Sequence, residues 1–139
     1  HLIKSIGEND SIPEKYLVKN ETTVAPEHYD VVIDAMQQVV EAEHGTARSG
    51  RIDSVKVCGK TGTVQNPHGE DHSVFIAFAP KNNPEISIIV YVENSGFGGT
   101  WAAPIASLMM EKYLKGGITD TLKEERILAA DFIHGINIK

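Results

Sequence analysis

The stretch Val55-Lys56-Val57-Cys58-Gly59-Lys60-Thr61-Gly62-Thr63-Val64 reads as a β-strand, bounded by Gly50-Arg51 before it and Asn66-Pro67-His68-Gly69 after it. Two short, nearly continuous apolar runs follow, one from Ser73 to Ala79 and one from Ile86 to Val92. Between them lies Pro80-Lys81-Asn82-Asn83-Pro84, whose residues favour a turn. Connections this short join antiparallel neighbours, because a parallel pair needs a crossover of roughly a dozen residues or more. The spacing predicts strands at about 55–65, 73–79 and 86–93 in one antiparallel sheet. Their continuous apolarity, in place of alternation, predicts cover on both faces.

Working outward, Ala25-Pro26 with Glu27 and Asp30 suits a helix N-terminus. Tyr29, Val32, Ile33, Met36, Val39 and Val40 form one apolar stripe at helical spacing, and Gly45 is the expected stop, which predicts a helix over about 26–44. Downstream, Thr100 is the expected cap of a helix over about 101–115, with Ile105, Leu108, Met109 and Tyr113 as its buried positions. Pro104 is tolerable there only within the first turn, and Gly116-Gly117 ends the helix. A last, shorter surface helix is expected over about 119–131, with Leu122, Ile127 and Leu128 among charges. The class is α/β, of the α+β type: an antiparallel sheet with helices packed on it.

The chain has 139 residues, enough for one domain and too few for two. A domain of this size buries roughly 68–70% of the surface of its unfolded chain, so it needs no metal or disulfide staple. Lys plus Arg is 13 and Asp plus Glu is 19, a net charge of −6 that argues against a nucleic-acid binder. The single cysteine, Cys58, excludes an internal disulfide. No apolar run reaches ~18 residues, so no helix of this chain is expected to span a membrane. The start at His1 falls in an apolar stretch already under way (Leu2-Ile3-Lys4-Ser5-Ile6), and the chain is expected to be a piece of something longer.

Gly59-Lys60-Thr61 invites a P-loop reading, but Ser54 stands where that motif needs its first Gly, and β-prone residues follow where it needs a helix. Read forward, Lys60-Thr61-Gly62 is K-T-G, which accompanies S-x-x-K and S-D-N in penicillin-binding proteins and class A β-lactamases. Acyl transfer from a peptide ending in a carboxylate needs a fixed cation and hydroxyl donors for that carboxylate. It also needs a backbone N–H aimed at the oxyanion, which a strand edge supplies. Gly removes the side chain that would obstruct a substrate lying alongside. The bare triplet arises by chance in ~3% of chains this long at average composition. Taken alone it is equally an ordinary strand with a Lys at its edge.

The surroundings go further. Cys58-Gly59-Lys60-Thr61-Gly62-Thr63-Val64-Gln65-Asn66 is followed by His72-Ser73-Val74-Phe75-Ile76-Ala77-Phe78-Ala79-Pro80. Then come Tyr91-Val92-Glu93-Asn94-Ser95-Gly96-Phe97-Gly98-Gly99 and Ala102-Ala103-Pro104-Ile105-Ala106. This series resembles the C-terminal part of class B penicillin-binding proteins, the D,D-transpeptidases that cross-link peptidoglycan, and within them the elongation-type penicillin-binding protein 2 group. The likeness runs from about Tyr29 to Leu114; Val64, Val74 and Ala77 depart from the Ala, Trp and Gly common in the family.

The resemblance implies the C-terminal half of the β-lactamase/transpeptidase-like fold, with Lys60 to Thr63 at the sheet edge facing a cleft that the N-terminal half completes. It implies that Lys60 sits near the proton-relay network and the substrate carboxylate. Thr61 and Thr63 would offer hydroxyls to that carboxylate, Gly62 would keep the strand face open, and the Thr63 backbone N–H would form half the oxyanion hole. The partners implied are a peptidoglycan stem peptide ending in D-Ala-D-Ala, β-lactams, and the N-terminal half of the domain. No cofactor and no metal are implied. The family works on the extracytoplasmic, periplasmic side, anchored by a segment outside this chain.

No serine here is followed three residues later by Lys, or two residues later by Asn. The wall of a substrate site is present without an attacking group, so the isolated chain is expected to be inactive. A non-catalytic sensor or scaffold module that keeps the wall is the alternative, as is a small structural protein with a chance K-T-G.

Other candidates carry less. His68 and His72 lie on a turn with no obvious third ligand, and His44 and His134 read as surface histidines. Cys58, mid-strand, reads as a small buried hydrophobe more than a nucleophile. Gly96-Phe97-Gly98-Gly99 precedes a helix but lacks the Lys of a phosphate cradle, so it reads as a flexible turn. The residues from Leu122 to Phe132 read as core packing before a partner-docking helix. Strands apolar on both sides, with too little helix here to cover them, predict an exposed apolar surface and self-association of the isolated chain. Light scattering of a concentrated solution should show species larger than a monomer; a clean monomer would count against it.

Overall fold

Two short reversals, at residues 65–71 and 80–85, turn the middle of the chain into a meander of β1 (Cys58–Val64), β2 (His72–Ala79) and β3 (Ile86–Val92). The computed structural model describes residues 11–18 and 21–133, with sheet order β1-β2-β3 and both pairings antiparallel. Three helices accompany the sheet: α1 (Pro26–Glu41), α2 (Ala102–Lys115) and α3 (Thr121–Leu128). The apolar opening at residues 1–6 and His134 lie outside the described residues.

The core lies on one face of the sheet. Ser73, Phe75, Ala77 and Ala79 of β2 are all buried, and in register beside them stand Val92, Val90, Ile88 and Ile86 of β3. On this row α2 lays Ala102, Ala103, Ala106 and Met110, small side chains that let a helix approach closely. Val40 of α1 joins the same core. Burial of the Phe75 ring alone is worth about 1.5–3 kcal/mol. On the opposite face Cys58 is buried, but Ile76, Ile89 and Tyr91 stay exposed, so the described residues cover that side only in part.

Several boundaries differ from the sequence expectation, each for a local reason. The first strand begins at Cys58, not at 55, because Ile52 to Val55 close a tight turn through Ser54 at φ 60°. Helix α1 stops at Glu41, ahead of Gly45, where the Arg51 side chain donates to the carbonyls of Val40, Glu41 and Ala42. A guanidinium satisfying the last carbonyls of a helix is a C-cap in place of glycine. The α1 stripe is only partly used: Val40 is buried, whereas Tyr29 and Val32 are exposed.

Thr100 does not cap α2. The cap position is Trp101, without a side-chain bond, and the Ala102 N–H is taken by Ser73 Oγ from the middle of the sheet, at 3.1 Å. The buried face of α2 agrees with the expectation at Leu108 and differs elsewhere. Met109 and Tyr113 are exposed, while Ala103, Ala106, Met110 and Glu111 are buried. Pro104 falls in the first turn, where its missing N–H costs nothing.

Helix α3 does not pack through its leucines, since Leu122 and Leu128 are both exposed. It is held by polar groups. Asp120 caps it by accepting from the Lys123 N–H, Lys123 Nζ donates to the Arg51 carbonyl at 2.9 Å, and Arg126 lies 4.6 Å over the buried Trp101 ring. The α2–α3 connection is tied by Glu111, which is buried and accepts from Thr119 Oγ1, the Thr119 N–H and Lys115.

Burial opposes the Glu111 charge, but the bonds from Thr119 and Lys115 outweigh it and hold the carboxyl below its usual range. A folded-state pKa below the unfolded value gives stability that is present above the unfolded pKa of about 4.3 and lost as pH falls through the folded one. The thermal midpoint should therefore drop on acidification below about pH 4.3. Glu111→Gln should flatten that acid limb, as read by circular dichroism melts across pH.

Candidate active site

Strand β1 is an outer strand of the sheet, so one row of its backbone N–H and C=O groups has no β partner among the described residues. Along it the four residues of interest alternate faces. Thr61 and Thr63 stand in register with Phe75 and Ser73, on the side of α2, while Lys60 and Gly62 stand beside Ile76 and Val74 on the other.

The hydroxyls meet a cleft. Thr61 and Thr63 line an open cavity of about 590 Å³ together with Thr46, Arg48, Ser49 and Phe97. Thr46 lies in the segment after α1, pinned by the buried Ala47, whose N–H donates to the Val39 carbonyl at 2.9 Å. Its hydroxyl is 3.0 Å from that of Thr61. Phe97, 73% exposed, stands at the rim. The wall is thus a row of hydroxyls with a cation, Arg48, and an aromatic ring beside it, which suits an anionic end group attached to an apolar body.

Lys60 is exposed and folds back, donating from Nζ to the Thr61 carbonyl at 2.8 Å. No carboxylate among the described residues pairs with it. It does not line the cleft in this arrangement. The structure therefore brings Thr61 and Thr63 together in one cavity, with Gly62 between them on the strand, and leaves Lys60 on the other side. Thr46 and Ser49 were invisible to sequence reasoning: no motif marks them, and they reach the cleft only because the chain returns there after α1.

A second cavity of about 560 Å³ is lined by Arg51, Lys56, Asp53, Asp120 and Lys123. Its four cations are engaged, Arg48 on the Glu43 carbonyl, Arg51 on the end of α1, Lys56 with Glu41 and Lys123 with Asp120. His72 is not paired with His68 either: its Nδ1 accepts from the Asn94 N–H at 2.9 Å, with the Tyr91 ring tilted against it 5.4 Å away.

The family model described as the penicillin binding protein transpeptidase domain matches residues 1–111. The peptidoglycan D,D-transpeptidase MrdA of Haemophilus influenzae is 38% identical over 95 residues, which are 57% of this chain and 15% of that protein. Stage V sporulation protein D of Bacillus subtilis is 32% identical over 121 residues, 80% of this chain and 18% of that protein. Among solved structures, Pseudomonas aeruginosa PBP2 in complex with WCK 5153 has a TM-score of 0.62 at 36% identity, over 73% of this chain and 23% of that one. The ceftriaxone acyl-enzyme complex of penicillin-binding protein A from Mycobacterium tuberculosis has a TM-score of 0.57 at 33% identity, over 66% of this chain and 22% of that one. The chain thus spans less than a quarter of the length of these relatives.

Cys58, two residues ahead of Lys60, is fully buried, and burial pushes its thiol above the usual range. A neutral thiol without access is a poor nucleophile. Ellman's reagent at pH 8 should leave Cys58 unmodified in the folded chain and titrate one thiol after unfolding in urea.

Proposed function

The chain belongs to the penicillin-binding protein transpeptidase domain family, and we propose that it supplies the substrate-binding and oxyanion-hole strand of a peptidoglycan D,D-transpeptidase. Its sheet and helices are of the α/β type found in its PBP2-like structural neighbours. The observation that carries the proposal is the pair of hydroxyls, Thr61 and Thr63, presented by an outer strand to an open cleft.

In this reading a stem peptide ending in D-Ala-D-Ala, or a β-lactam, lies along β1. Thr61 and Thr63 hold its carboxylate by hydrogen bonds to the charged group, each stronger than a neutral pair. Gly62 leaves the strand face clear, and the Thr63 backbone N–H donates to the carbonyl oxygen as it gains charge. Lys60, with no carboxylate partner here, swings from the Thr61 carbonyl toward the carboxylate and the proton relay. The nucleophilic serine lies outside these 139 residues, since no serine of the chain stands in an S-x-x-K setting. That serine's oxygen bonds to the penultimate D-Ala carbonyl carbon, the C–N bond to the terminal D-Ala breaks and its nitrogen takes the serine proton; an acceptor amine then bonds to the acyl carbon, the acyl–oxygen bond breaks, and an amine proton returns to the serine oxygen. The site faces the extracytoplasmic side, where peptidoglycan is.

Fluorescent penicillin should label the intact protein that carries this segment and leave the isolated chain unlabelled. Lys60→Ala in the intact protein should slow labelling roughly 10- to 100-fold, the size of one charge-assisted hydrogen bond. Undiminished labelling of the variant, or covalent labelling of the isolated chain, would overturn the reading.

A further inference from the structure

The buried row of β2 is Ser73, Phe75, Ala77 and Ala79, and one member of it is polar. A hydroxyl in such a row is unfavourable unless its bonds are satisfied. Ser73 is 0% exposed and uses its hydroxyl twice. Oγ donates to the Phe97 carbonyl at 3.0 Å and accepts from the Ala102 N–H at 3.1 Å. Those two groups are the start of the segment that leads into α2 and the first residue of α2 itself. In the sheet, Ser73 stands directly beside Thr63.

The segment that Ser73 ties down is pressed against the site. Gly98 is buried, and a Cβ there would lie 2.2 Å from the Val74 carbonyl oxygen and 2.6 Å from that of Gly62. A Cβ on Gly99 would lie 2.2 Å from the Thr46 carbonyl oxygen. Contacts that close belong to bare backbone, so glycine at both positions lets residues 98 and 99 rest on the two strips of chain that carry Thr61, Thr63 and Thr46. Ser49 Oγ donates to the Gly99 carbonyl and fixes the far side. The same segment carries Phe97, the rim of the cleft.

We propose that Ser73 is a positioning residue of the site, its single hydroxyl clamping residues 97–102 onto β2 behind Thr63 and so setting the width of the cleft between the Thr61–Thr63 wall and Phe97. Without the hydroxyl, the Ala102 N–H and the Phe97 carbonyl both lose a partner, and Ala102 is fully buried. An unsatisfied buried donor is relieved by movement of the helix start toward water. Residues 97–99 then lift from Gly62 and Thr46, and the wall no longer faces the substrate at a fixed distance. The clamp itself is a statement about this chain; its effect on catalysis rests on the transpeptidase reading.

The test compares Ser73→Ala, Ser73→Thr and, as a stability control in the same core, Val40→Ala, all in the intact protein. Two readouts are taken at 25 °C: the rate constant of acylation by fluorescent penicillin, and amide hydrogen exchange over residues 60–63 and 97–102. Ser73→Ala should slow acylation roughly tenfold, the size of one lost buried hydrogen bond, and should speed exchange at residues 97–102. Ser73→Thr, which keeps the hydroxyl, should recover most of the acylation rate. Val40→Ala should lower the melting temperature with acylation and exchange at residues 97–102 unchanged. Wild-type rates and exchange in Ser73→Ala would overturn the clamp, as would an equal loss of acylation in Val40→Ala. If the wild-type protein takes up no penicillin, the transpeptidase reading fails, and exchange at residues 97–102 alone decides the clamp.

Discussion

Everything in this chain hangs on the close packing of α2 against the β2 row centred on Phe75. The Phe75 ring is fully buried and lies over the backbone of Gly59 on β1, with Ala103 of α2 and Gly50 nearby. Small side chains at Ala102, Ala103 and Ala106 let α2 come near enough to cover that ring. Interiors are packed as tightly as organic crystals, so a shift of α2 would be felt along β1. The distance from helix to sheet therefore also sets where the start of α2 sits relative to Thr61 and Thr63.

Because α2 begins at the level of Thr63, the same packing that stabilises the fold also shapes the cleft. Ser73 is the point where the two purposes meet, a core position whose hydroxyl holds the start of the helix. An outer strand is normally a liability, since its unpaired backbone invites other chains. Here that open edge carries Lys60 to Thr63, the residues proposed above to bind substrate. Binding by strand addition needs such an edge, with backbone groups giving affinity and flanking side chains giving selectivity.

Charge is divided in a similar way. Arg51 closes α1, Lys123 joins α3 to the Arg51 carbonyl and Ser107, and Glu111 ties Thr119 to α2. These groups are consumed by structure. Lys60 has no carboxylate partner among the described residues and meets only a neighbouring carbonyl. Lys60, on the face of β1 opposite the Thr61–Thr63 hydroxyls, is a cation available to an anionic ligand once its side chain turns, and Arg48 lines both cavities. On the far face of the sheet, Ile76, Ile89 and Tyr91 stay open to solvent, which accords with a segment that spans a small share of its relatives.

The order and kind of elements were legible in the sequence, because alternating turn residues and apolar runs report local preference directly. The three strands and three helices fall near their expected places, and Pro26 and Pro104 sit in first turns as their chemistry requires. That Lys60 to Thr63 lie on a strand was legible too, and β1 contains them. What the sequence could not settle depends on partners distant along the chain. Arg51 ends α1, Ser73 caps α2 from 29 residues away, and Thr46 meets Thr61 across 15. Periodicity named an apolar stripe on α2 but not its orientation, since Met109 and Tyr113 are as hydrophobic as the alanines that were buried instead. Only the packing against the sheet decided which face turned inward, burying Met110 and exposing its neighbour Met109.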